Sequence, residues 1–141
     1  MIANHTQKCN SIDDDPCIIT ILGEPASKSN SRRLVMIGGK PRFIKSQKAL
    51  SYGKDFTIQC PIRKDLFTID LSVAMKIYYK TRRPDLDESL ILDLLQKKVF
   101  NNDRSVKSKY IEWGLSKDNP RTVIVISSLD NKDLVRNTLL N

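Results

Sequence analysis

Three aspartates set the chemistry open to this sequence. Asp85 and Asp87 stand two apart directly behind Arg82-Arg83-Pro84. Pro84 keeps the chain before it out of helical geometry, and in extended backbone residues two apart project to the same side, so the two carboxylates converge. Asp103 comes later, in the turn Asn101-Asn102-Asp103. Hard divalent cations take oxygen ligands and keep several waters, so a few carboxylates that leave room for a phosphate suffice to hold one. Each aspartate also has a plain structural role, because Asp87 before a helix is an N-cap, Asp85 opens a turn and Asn102-Asp103 is ordinary turn chemistry. On spacing alone those roles are favoured, and the cationic setting is what raises the metal reading.

That setting is pronounced. The 141-residue chain carries 24 Lys and Arg against 16 Asp and Glu, a formal charge of +8, which favours polyanionic partners through phosphate neutralisation. Lys28, Arg32, Arg33, Lys40, Arg42, Lys45, Lys48 and Lys54 fall in one stretch, whereas Asp13, Asp14 and Asp15 lie near the start. Lys28, Asn30, Arg32, Arg33 and, beside the aspartates, Arg83 are the candidates for holding a DNA backbone, since arginine forks and side-chain amides suit phosphate oxygens. Phe43, Tyr52, Tyr78 and Tyr79 could stack on unpaired bases at a junction, but isolated aromatics in strands and helices are more often core, so they and Trp113 are read as packing residues with no functional role assigned.

Other chemistries find little support. The one histidine, His5, lies in the first residues, which excludes a histidine-based nucleophilic triad, and no glycine-rich phosphate loop appears. Cys9, Cys17 and Cys60 lack the paired spacing of a zinc site and do not suggest a disulfide framework, so a reducing cytosol, of a bacterium or a phage-infected host, is expected. The longest apolar runs are far too short to span a membrane.

The elements that must position the aspartates follow from periodicity. Residues 1–16 read as a flexible leader, 17–128 as one domain and 129–141 as a tail or short helix. Cys17 to Leu22 is a buried strand stopped by Gly23 and Pro25. Two strands flank Gly38-Gly39, whose glycines supply the positive φ of a hairpin turn. Ser46 caps a helix running to about Cys60, with Ala49, Leu50, Phe56 and Cys60 inward and Pro61 at its end. Alternation from Phe67 to Tyr79 predicts a long half-buried strand. Leu90, Ile91, Leu94 and Leu95 predict a second helix from near Glu88 to about Lys98, followed by strands over 106–115 and 121–127. The fold class is therefore α/β (α+β), a small mixed sheet with two main helices.

Arg82-Arg83-Pro84-Asp85-Leu86-Asp87, the apolar helix after it, and Val99-Phe100-Asn101-Asn102-Asp103-Arg104-Ser105-Val106 resemble the central signature of the RusA-type Holliday-junction resolvases. Ile21-Leu22-Gly23-Glu24-Pro25 and Ser27-Lys28-Ser29-Asn30-Ser31-Arg32 are similar to that family's strand, Gly-x-Pro turn and polar basic loop. The resemblance covers residues 18–126. It implies a homodimeric endodeoxyribonuclease that cuts four-way junctions or related branched DNA in recombination and repair. It also implies Mg²⁺, or Mn²⁺ in its place, held by Asp85, Asp87 and Asp103 as the metal-binding and catalytic residues. Three positions depart from the family pattern: Glu88 replaces its Asn, Asn102 replaces the first acid of its later pair, and Ile91 replaces its lysine. The last removes a cation from beside the phosphate, for which Lys28, Arg32, Arg83 and Lys98 are candidate substitutes, and leaves a non-catalytic binder of branched DNA as the alternative.

Overall fold

The apolar run that ends at Tyr79 supplies an interior strand of a four-stranded sheet, in a computed structural model that describes residues 7–26 and 32–141. In chain order the elements are β1 (Cys17–Leu22), β2 (Arg32–Ile37), β3 (Lys40–Lys45), α1 (Gln47–Gln59), β4 (Leu71–Tyr79), α2 (Ser89–Leu95), β5 (Val106–Leu115), β6 (Arg121–Ser128) and α3 (Lys132–Leu140). Short 3-10 turns occupy Asp103–Ser105 and Leu129–Asn131. The sheet runs β1-β6-β4-β5, and β2 and β3 form a separate hairpin. β6 is antiparallel to β1 and β4, whereas β4 and β5 are parallel, with Leu71 opposite Val106 and Tyr79 opposite Leu115. A parallel neighbour obliges the chain to cross back over the sheet, and α2 lies in that crossover. The mixed α+β class holds, with three helices rather than two and with the C-terminal segment helical.

β4 departs from its half-buried reading. It starts at Leu71, and Leu71, Ser72, Val73, Ala74 and Met75 are all buried, because both faces of the sheet are covered. Leu71, Val73, Met75 and Ile77 join Phe56 of α1 and Ile91 and Leu95 of α2 in the main core. Ala74 points the other way, to Val125 and to Val135 of α3. Period-two alternation was legible, but it separates two buried faces here rather than core from solvent.

Ser46 caps α1 by accepting the Ala49 N–H at 3.2 Å, and Ala49, Tyr52 and Phe56 form its inward stripe. Leu50, expected inside, is exposed because it sits one position round the helix from that stripe. Gly53 faces Leu94 of α2, where an added Cβ would stand at an ordinary contact distance of 3.5 Å from Leu94 Cδ2. α2 ends at Leu95, short of Lys98, where Gln96 turns extended and Lys97 takes φ 68°.

The expected loose leader is, from Gln7 onward, fastened to the sheet. Lys8 and Ile18 exchange backbone hydrogen bonds of 2.8 and 3.0 Å. The side-chain amide of Gln7 both donates to and accepts from Thr20 backbone, at 2.7 and 2.9 Å, and that of Gln59 does the same with Leu22, at 3.0 and 2.7 Å. Together they satisfy edge groups of β1 that an open strand would present to other chains. Contrary to the cysteine reading, Cys9 and Cys17 form a disulfide, while Cys60 is free and buried, its thiol pushed up to about 12 by burial.

Candidate functional site

The loop between β4 and α2 carries two of the three aspartates, and it is pinned at three points. The Lys80 N–H donates to Glu24 Oε2 at 2.7 Å, and the other Glu24 oxygen pairs with Lys48 at 3.2 Å. The carbonyl of Pro84 accepts from Trp113 Nε1 at 3.1 Å. The Asp87 N–H donates to the Tyr79 hydroxyl at 3.2 Å. Trp113, on β5, stacks on Tyr79 with centroids 5.9 Å apart, so two aromatics read as packing also fix the loop by their polar atoms.

Asp87 has two unlike oxygens. Oδ1 accepts the Ser89 N–H at 3.0 Å and the Ser89 hydroxyl at 2.7 Å, so Asp87 closes a turn onto the start of α2 rather than being its N-cap, a position that Glu88 holds. Oδ2 is buried without a hydrogen-bond partner. A buried carboxylate oxygen left so is costly unless something supplies positive charge or a donor. Asp85 is exposed in the same loop.

Asp103 is half-buried, and its N–H donates to Gln96 Oε1 at 3.4 Å. Gln96 follows the last residue of α2, whereas Asp87 precedes its first, and a helix of seven residues rises about 10 Å. Asp103 is therefore tied to the opposite end of a short helix from Asp87. Among the described residues no three Asp, Glu, His or Cys side chains gather closely enough to form a metal cage.

Two residues outside the expected set stand at this loop. Glu88 pairs with Lys109 of β5 at 2.8 Å. Lys109 shares a strand face with Ile111 and Trp113, so it projects on the side where the loop lies. The alternation Lys107, Lys109, Ile111, Trp113 carried that signal, a cation continuing a core-facing row. Glu24 is the second, and the Tyr79 hydroxyl registers it: burial raises the tyrosine pKa most, and the charges of Asp87, Glu24 and Glu88 add to the rise. Acids from two loops thus share one neighbourhood.

Ile91 is fully buried in the core, as expected. Of the substitutes named for the family lysine, Lys98 lies beside Cys60, where its charge opposes the rise in the thiol pKa. Arg83 is exposed in the loop and Arg32 sits on the hairpin with Arg33, both exposed. Lys28 and Asn30 lie outside the described residues. A groove of about 580 Å³ between α1 and α2 is lined by Leu50, Gly53, Ile58 and Leu94 with two lysines, and holds no acid for metal chemistry.

Neither a protein-family model nor a curated protein matches the chain. Among the described residues no helix is long and apolar enough to cross a membrane.

Proposed function

We propose that this chain is a Mg²⁺-dependent endonuclease for branched DNA, with Holliday junctions as the leading substrate, acting as a homodimer whose two copies make paired nicks. The observation that carries the reading is Asp87, whose Oδ1 is committed to Ser89 while Oδ2 is buried and unpartnered. Asp87 and Asp85 share one loop and are the all-oxygen kind of donor that a hard divalent ion takes, whereas Asp103, at the far end of α2, would join them only if that end moved closer. Such a cation, when bound, lowers the pKa of a water and offsets the charge that develops on a phosphodiester under attack.

The chain's own groups would then divide the remaining work. Tyr79, Trp113 and Glu24 hold the loop so that Asp87 presents its free oxygen without an entropic search. Lys109, kept near by Glu88, supplies the cation that Ile91 cannot, and meets charge on the phosphate. Lys28, Asn30, Arg32, Arg33 and Arg83 hold the DNA backbone. Two-fold symmetry suits a four-way junction, which needs two strands of like polarity cut.

A binder of branched DNA without nuclease activity is the second reading, favoured by the core position of Ile91 and by the separation of Asp103 from Asp87. Incubation with a synthetic four-way junction decides between them. Symmetric nicks with Mg²⁺ or Mn²⁺ are expected, abolished by EDTA and reduced at least on the order of 10²-fold in Asp87→Asn. Junction binding without nicks under either metal leaves the binder, and equal affinity for junction and plain duplex refutes both.

A further inference from the structure

The β2–β3 hairpin is the part of the molecule that the site leaves unexplained. It forms its own two-stranded sheet, turned by Gly38 and Gly39 with φ 59° and 77°. In its register Leu34 faces Phe43 and Met36 faces Pro41, and directly opposed residues share a face. One face is therefore a strip of Leu34, Met36, Pro41 and Phe43. It is open to solvent, and Phe43, read from sequence as a packing residue, is instead 72% exposed, with Met36 at 68% and Leu34 at 59%, because among the described residues no further layer covers this face of the hairpin. Water-exposed strips of this kind on a soluble chain call for an occupant.

Charge identifies its class. Arg32 and Lys45 stand at the base of the same face, and Arg33, Lys40 and Arg42 share the other with Val35, Ile37 and Ile44. The sequence has no acidic residue between Glu24 and Asp55. A second copy of this hairpin would meet the strip with matching cations and be repelled. Pro41 and the basic side chains also blunt strand addition at the hairpin's edges. Nucleic acid presents what the hairpin lacks, flat apolar base faces beside closely spaced phosphates. Phe, Leu, Met and Pro are the residue types that wedge between base steps, and a step already interrupted costs least to open.

We propose that the β2–β3 hairpin is a wedge that enters the discontinuity of a branched DNA. Phe43 stacks on a base there, Leu34 and Met36 extend the apolar contact, and the flanking cations grip the adjoining phosphates. The inference rests on the branched-DNA reading above and locates the part of the protein that discriminates a branch from a duplex.

The experiment uses the full chain in EDTA, so that no strand is cut, with a four-way junction carrying 2-aminopurine at the branch and a matched duplex. Wild type raises the 2-aminopurine emission as the base leaves its stack. Phe43→Ala lowers junction affinity roughly 10- to 100-fold, loses the emission change and leaves duplex affinity within about twofold, whereas Phe43→Trp keeps the preference. An unchanged melting midpoint shows that Phe43→Ala is folded. If Phe43→Ala retains both junction preference and emission change, the wedge is wrong while the branched-DNA reading stands. A variant that dissociates a dimer in sedimentation yet keeps the emission change makes the hairpin a self-association arm and also overturns the wedge. Wild type that binds neither DNA fails the functional reading itself, and the wedge falls with it.

Discussion

Lys109 and Glu88 meet at 2.8 Å with both side chains partly in solvent, so their pairing contributes only on the order of 0.2–1 kcal/mol to stability. Any larger effect of removing Lys109 therefore reports function. Lys109→Met is expected to shift the unfolding midpoint little while lowering the junction-cleavage rate constant on the order of 10²-fold, with Lys109→Arg restoring part of it. Single-turnover cleavage at saturating enzyme measures this, and a Lys109→Met variant that cuts at the wild-type rate removes the lysine from the mechanism. The sequence could place Asp87 before a helix and Ile91 in its core, because both follow from local periodicity. It could not reveal Lys109 as a partner, since 21 residues and a strand crossover separate it from Glu88. Nor could it show that one oxygen of Asp87 is spoken for and the other is not. That depends on the Ser89 rotamer and on the burial the loop acquires when Trp113 holds Pro84.

Elements were legible where a local signal begins or ends them. Ser46 and Pro61 bracket α1 in sequence, and the helix runs from Gln47 to Gln59. α2 lacks such a stop signal and ends at Leu95, where the backbone of Lys97 turns to bond Phe100 at 2.7 Å, a contact set by packing. β4 reads as alternating, but whether its second face meets water depends on α3, some fifty residues away in sequence. The β4–β5 pairing adds a constraint that no pattern discloses. Gly114 lies opposite Tyr78, and an added Cβ would stand 2.8 Å from Tyr78 Cδ1 and 3.0 Å from Lys76 Cε. The Tyr78 ring cannot move away freely, because the Arg121 guanidinium lies 3.9 Å from its centroid. Gly114→Ala is accordingly expected to destabilise by about 1–3 kcal/mol, seen as a lower urea midpoint at unchanged slope. A neutral outcome means that the Tyr78 side chain relaxes at no cost.

At the scale of the molecule, the N-terminal segment and the turn after α1 close the fold together, and Arg63 is their common point. Its side chain is 3% exposed. Nε donates to the Asp65 carbonyl at 2.7 Å, Nη1 donates to the Asp14 carbonyl at 3.1 Å and reaches Cys17 Sγ at 3.0 Å, and the guanidinium lies 4.0 Å from the Phe67 centroid. The backbone of Lys64 also donates to Asn10 at 2.6 Å. These contacts join positions about fifty apart, which is why residues 7–16 read as a leader in sequence, and why Cys9 and Cys17 did not announce their bridge. Removing the guanidinium takes a charged donor from the part-buried carbonyls of Asp14 and Asp65 and releases the segment from the turn. Hydrogen bonds to a charged group contribute about 1.5–3 kcal/mol each, less here because both bonds are only part-buried and water can replace the donor. Arg63→Ala is therefore expected to lower stability by about 2–4 kcal/mol and to hasten proteolysis at Lys8, while Arg63→Lys, which keeps the charge but not the fork, recovers only part. Urea denaturation of the oxidised protein together with timed trypsin digestion reads both effects. A loss under about 0.5 kcal/mol, with Lys8 still protected, would mean that the disulfide and the β1 edge bonds hold the N-terminal segment without Arg63.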